Sequence, residues 1–369
     1  MSRIGSLARV SPRDLRQLMA VSTVLSLVTI SVVPTLIAGL DVLHSGQEIV
    51  DRVSGKRMIA TIQELEGFGS RAFYLDSSND SAEYVHERFA QLGLNVEYQE
   101  FLAGSHHVRN VIATLPGTSN SDGVLLFGAH YDSENRLADS YDAGANLSAP
   151  GADDDASGVA AVVELATVLS DQHFPNTIKF VAFAAEEMGY DDSGGLKGSS
   201  HFVERERNRG VVYTGSAIID MIGYRGANGN HVVAVVNSNE GPLPKATLDS
   251  VSRHGLELQL DIELNTSVTW SDHYPFWIAG YPSMLLIEEL GGPREFPVNP
   301  YYHSSDDTSD KLSESQMENT TMALAGGVLL VTQPQPREGF GSWVELGLVV
   351  FGAIIITGIY IRRRKAGQE

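Results

Sequence analysis

Cysteine is absent from the 369 residues. That excludes disulfide scaffolds, Cys-ligated zinc, iron–sulfur clusters and thiol nucleophiles. Lysine is scarce: six of the 26 basic residues are Lys, and the net charge is −20. A chain this acidic is not built to neutralise phosphates, so no nucleic-acid partner is expected. The same acidic, lysine-poor composition fits either a high-salt surface or an ordinary secreted protein. Hydrophobic residues make up 43% and charged residues 20%. Those fractions exclude a disordered or collagen-like chain, and the length allows one large domain or two small ones.

Charge is missing locally as well. Leu18 to Leu40 carries no charged residue, and Arg3, Arg9, Arg13 and Arg16 precede it. A run of this length suffices for a membrane helix. A second apolar stretch, Trp343 to Ile361, ends in Arg362-Arg363-Arg364-Lys365. Basic clusters stay in the cytoplasm. Both clusters therefore place the termini inside, and the chain between them outside, a cell membrane. The expected organisation is a basic tail over 1–17, a transmembrane helix or signal anchor over 18–40 and a catalytic domain over 41–332. A linker over 333–342, a second transmembrane helix over 343–361 and a basic tail over 362–369 follow.

The middle alternates strands and helices. Helical spacing marks 57–66, 81–93, 157–169 and 314–330. Short apolar or alternating runs mark strands at 95–102, 110–115, 124–129, 177–185, 216–222, 231–236 and 283–287. This order predicts an α/β fold, a three-layer αβα sandwich on a mixed, mostly parallel sheet. In such sheets ligands bind beyond the carboxyl ends of the strands.

Polar residues collect at those ends. Strand 124–129 runs into His130-Tyr131-Asp132, and strand 177–185 into Glu186-Glu187. Asp220 follows Ile218-Ile219, Asp153-Asp154-Asp155 opens the helix at 157, and Tyr302-His303 lies further on. Singly, each has a plain structural reading, such as a helix cap for the aspartates. Together, two histidines and several carboxylates at one sheet edge form an N/O donor set that suits zinc.

These motifs, with Gly67-Phe68-Gly69-Ser70-Arg71-Ala72 and Ser271-Asp272-His273, resemble the di-zinc aminopeptidases over about residues 55–330. That group also includes glutamate carboxypeptidase, glutaminyl cyclase and the catalytically inactive transferrin receptor. The resemblance implies two zinc ions per chain, with Asp154 bridging them. His130 and Asp220 would complete one ion, and Glu187 and His303 the other. Glu186 would be the general base, Tyr302 an oxyanion donor, and Asp132 the partner of the far nitrogen of His130; Asp307 would support His303. The implied substrates are peptides with a free N-terminus. A carboxypeptidase or cyclase on the same fold, or an inactive scaffold, are the alternatives. Cyclases use fewer of these ligands, and inactive relatives usually lose some. The aromatic stretch 271–282 is either a side-chain pocket or core. The oligomeric state is not legible.

Overall fold

A computed structural model describes residues 46–119, 123–135, 148–188, 195–288, 290 and 298–332. Among these residues no helix is long and apolar enough to cross a membrane. The apolar segments 18–40 and 343–361, the linker at 333–342 and the basic tails at 1–17 and 362–369 lie outside them.

An eight-stranded sheet runs through the domain. In chain order its strands are β1 (Asn95–Ala103), β2 (His106–Leu115), β3 (Val124–His130), β4 (Thr177–Phe183), β5 (Tyr213–Ile219), β6 (His231–Val236), β7 (Gln259–Leu264) and β8 (Ser283–Glu288). Their spatial order is β1-β2-β4-β3-β5-β8-β6-β7. The centre, β4-β3-β5-β8, is parallel, as is the outer pair β6-β7. The pairings β1-β2, β2-β4 and β6-β8 are antiparallel. The sheet is thus mixed, as expected, but parallel chiefly at its centre. The short Gly104-Ser105 turn between β1 and β2 permits only an antiparallel return.

Central strands are apolar on both sides because both faces are covered. Val111, Leu125, Phe180 and Ala217 point into one core, and their neighbours Ile112, Leu126, Val181 and Ile218 into the other. That alternation is the two-residue period of a strand. On the first face lie α1 (Gly55–Gly67), α2 (Asp76–Gln91), α3 (Ala156–Leu169), α5 (Leu243–His254) and α7 (Glu314–Thr332). The second face carries α4 (Lys197–Asn208) and α6 (His273–Ala279).

The sequence pattern misses α4, α5, α6 and β7. α4 is strongly polar and shows a short apolar stripe. β7 is an edge strand with an irregular burial pattern. The stretch 271–282 contributes mainly to the core. Phe276 is fully buried, the Trp277 indole donates to the Ser283 carbonyl at 2.8 Å, and Ile278 faces solvent.

Candidate metal centre

β4 ends at Phe183, two residues earlier than the apolar run suggests, and Ala185 takes a left-handed φ of 55°. Glu186 and Glu187 therefore do not alternate across a pleat. Both line one cavity of about 390 Å³ at the carboxyl ends of the parallel strands. Leu196, Met221 and His303 also hold positive φ, at 55°, 55° and 53°. Each such non-glycine residue is a local cost that the surroundings must hold in place. All four lie at or beside the cavity, and three of them line it.

The five expected ligands meet there, all nearly inaccessible to solvent. His130 closes β3, Asp220 follows β5, Glu187 follows β4, Asp154 precedes α3, and His303 sits in the loop before α7. Nε2 of His130 lies 3.2 Å from Oδ1 of Asp154 and 3.7 Å from Oδ1 of Asp220. Nε2 of His303 lies 3.0 Å from Oδ2 of Asp154 and 3.1 Å from Oε1 of Glu187. One carboxylate thus offers one oxygen to each histidine. Asp154 Oδ2 is buried and accepts no hydrogen bond. A buried carboxylate oxygen with no well-aligned hydrogen bond, facing an imidazole and a second carboxylate, fits a cation.

Asp155 lies close to His130 and Asp220 as well. Its oxygens are already engaged. Oδ1 accepts from the Gly158 amide at 2.9 Å and the Met221 amide at 3.1 Å; Oδ2 accepts from the His130 amide at 3.2 Å. Asp155 therefore caps α3 and ties it to the ends of β3 and β5. A side chain at Gly158 would collide with Asp155 and with the Ile219 carbonyl, so glycine is required at that crossing.

Supporting groups differ from expectation in two places. His130 Nδ1 lies 3.1 Å from the backbone carbonyl of Asp132 and 3.7 Å from its carboxylate. A carbonyl only accepts, so Nδ1 carries the proton and Nε2 faces the ligands. The Asp132 carboxylate instead accepts from the amides of Glu186 at 3.2 Å and Glu187 at 3.1 Å. It does not line the cavity, so Asp132 is a positioning residue. Asp307 does not support His303; it accepts from the amides of Asp153 at 2.9 Å and Asp154 at 3.1 Å. Its proton affinity is raised to about 8 by burial and by Asp153.

Sequence reasoning assigned Arg71 no role of its own. Its side chain is fully buried and donates to the carbonyls of Tyr131 and Gly151 at 2.8 Å each, and to Pro150. It joins the loop before α3 to the end of β3, beneath the acidic centre. The signal was a lone arginine between small residues ahead of α2. Arg71→Met should lower stability by about 3 kcal/mol or more, because several buried carbonyls lose their donors. Chemical unfolding of the metal-free chain measures this, and a loss under about 1 kcal/mol would contradict the role.

Electrostatics make metal loading proton-linked. Burial alone lowers the His303 pKa, but Glu187 and Asp154 outweigh it and raise it to about 10. His130 is likewise raised, with burial opposed by Glu186, Asp132, Asp154 and Asp220. Burial raises Glu187 to about 7. Without metal, the His303 ring is protonated at neutral pH, and a metal must displace that proton. Affinity should therefore climb with pH towards about 10, and loading at pH 7 should release protons. Calorimetry in buffers of different ionisation enthalpy reads this. A heat independent of buffer would contradict it. The metal-free fold has the matching dependence. Pairing of His303 stabilises fully below its ordinary 6.5 and fades as pH rises to about 10.

Residues 110–328 match the model of peptidase family M28. The chain belongs to peptidase family M28. It is a zinc metallopeptidase on a mixed α/β sheet, and the strand ends described above carry its candidate metal-binding groups. It is 30% identical over 285 residues to leucine aminopeptidase 1 of Fusarium vanettenii, covering 73% of this chain and 68% of that one. A probable zinc metalloprotease of Pyrenophora teres f. teres is 31% identical over 199 residues, 48% of this chain and 40% of that protein. Among solved structures, the LapA aminopeptidase of Legionella pneumophila superposes with a TM-score of 0.64 at 21% identity, over 79% of this chain and 76% of that one. At that identity the likeness speaks for the fold.

Proposed function

We propose that this M28 peptidase is an aminopeptidase that binds two zinc ions and releases N-terminal residues from peptides. One observation carries the choice of the amino end. Asp154, Glu186, Glu187 and Asp220 line the cavity, and no Lys or Arg does so among the described residues. A substrate's free amine finds carboxylates there, whereas a terminal carboxylate finds no cation. Arg225 is exposed and does not line the cavity, and Arg294 lies outside the described residues.

The donor set fits two ions. Asp154 would hold both, His130 and Asp220 one, and Glu187 and His303 the other. Bound zinc lowers the pKa of water and polarises the scissile carbonyl. Glu186 lies in the cavity, and no histidine ring nitrogen is paired with its carboxylate as one is with Glu187. It takes the proton from the attacking water and returns it to the leaving amine. Burial, Glu187, Asp272 and Asp220 raise its proton affinity, which suits a group that must both accept and give. Tyr302 stacks on His303 at 3.8 Å between ring centroids and opens onto the cavity. Its hydroxyl is held protonated by burial and the surrounding carboxylates, so it is a ready donor to the tetrahedral oxyanion. Tyr302→Phe should lower kcat by about 10²–10³ with little change in KM. A fall confined to KM would assign Tyr302 to binding alone.

Met188, Leu196, Met221 and Trp270 give the cavity an apolar wall beside the acids. It suits a large apolar N-terminal side chain. The relative from Fusarium vanettenii is named for leucine. We further propose that segments 18–40 and 343–361 anchor the chain in the cell membrane, with the domain outside and both termini in the cytoplasm. Their uncharged length and basic flanks support this.

The test compares a leucine anilide, its N-acetylated form and a peptide ending in glutamate. Cleavage of the free-amine substrate alone, abolished by a chelator, is expected. Cleavage of the glutamate end alone would overturn the aminopeptidase reading.

A further inference from the structure

The first described residues and the last helix meet at one end of the domain, and that end lies away from the metal centre. α7 starts at the metal end. Gln316 Nε2 donates to the carbonyls of Ile222 at 3.1 Å and Tyr224 at 2.8 Å, just beyond the ligand Asp220. From Gln316 to Leu329 the helix travels about 20 Å. Gly46 lies against Leu329, where an added Cβ would stand 3.5 Å from Cδ1. α3 gives the same direction. It is capped by Asp155 at the metal end and runs 14 residues to Leu169. Arg52 pairs with Asp171, just past its far end, at 3.0 Å. Two helices that both leave the metal centre are thus met at their far ends by residues 46–52.

We propose that the domain stands on its membrane with the metal cavity turned away from the bilayer. The inference rests on the anchoring reading above. The apolar segments 18–40 and 343–361 then leave from neighbouring points. Six Cα–Cα steps join Leu40, the end of the first, to Gly46, a reach of about 20–22 Å at full extension. Turning the cavity towards the lipid would require Gly46 to rise above the bilayer by more than the about 20 Å of α7 that separates it from the metal end. Even fully extended, the tether would be used up by that height, with nothing left to cross the headgroup layer of about 5–7 Å. The chain therefore takes peptides that arrive from the aqueous phase. N-termini lying at the surface of the same membrane are out of reach.

The absence of native cysteine makes the test direct. His173 is exposed between α3 and β4 at the far end, and Ala227 is exposed between β5 and β6 at the metal end. The full chain carrying His173→Cys or Ala227→Cys is placed in lipid vesicles. It is labelled with a membrane-impermeant donor dye, with acceptor dye on lipid headgroups. Energy transfer from position 173 should exceed that from 227 at least about twofold, given the length of the helices between them. Equal transfer, or more from 227, in chains that float with the vesicles overturns the orientation alone. Chains that fail to float with vesicles overturn the anchoring reading, and the orientation with it.

Discussion

Asp154→Asn should leave a folded chain that holds at most about one zinc ion and has lost at least about 10³ of its turnover. Among the described residues, the side chain is the one carboxylate within 3.2 Å of both histidine rings, Oδ1 towards His130 and Oδ2 towards His303. An amide offers a single, weaker oxygen, so it cannot serve two cations at once. The backbone should survive the change. The loop is held by Asp307 on the Asp153 and Asp154 amides and by Arg71 on the Pro150 and Gly151 carbonyls. Metal analysis and turnover of the purified variant are the measurements. Retention of both ions, or of activity, would refute the bridge.

Glu186→Gln should behave in the opposite way. Metal content should stay unchanged while kcat falls by about 10²–10⁴, the usual contribution of a positioned general base. Glu186 and Glu187 are sequence neighbours in one cavity, so the assignment depends on contacts. Glu187 Oε1 lies 3.1 Å from His303 Nε2, and Glu186 has no such histidine contact. Loss of metal in Glu186→Gln would mean that the two roles are exchanged. Glu187→Gln is the matching control and should lose metal.

Four of the five grouped residues were legible because they follow an apolar strand or precede a helix, whereas His303 lies in a loop and was singled out by its motif. A buried carboxylate or histidine at such a place needs a partner. Periodicity also found the parallel centre of the sheet, where both faces are buried and strands read as apolar runs. It did not find α4, whose residues are mostly polar, or β7, which packs at the sheet edge. The support around the ligands was least legible. Asp155, Asp307 and Arg71 act on backbone amides and carbonyls, and no side-chain pattern reveals which main-chain group an acid will hold. Asp132 illustrates the limit. Its pairing with His130 was expected through the carboxylate and occurs most closely through the carbonyl, while the carboxylate fixes the two glutamates. The left-handed turn at Ala185 is a tertiary effect as well. The apolar run of β4 continues past the point where the strand stops.

The most direct test is a zinc titration of the metal-free full chain, with hydrolysis of a leucine anilide followed at each addition. A centre bridged by Asp154 predicts activity that reaches its plateau at about two ions per chain, with the general base idle until the water is activated. A plateau at one ion, or turnover before any zinc is added, would contradict it.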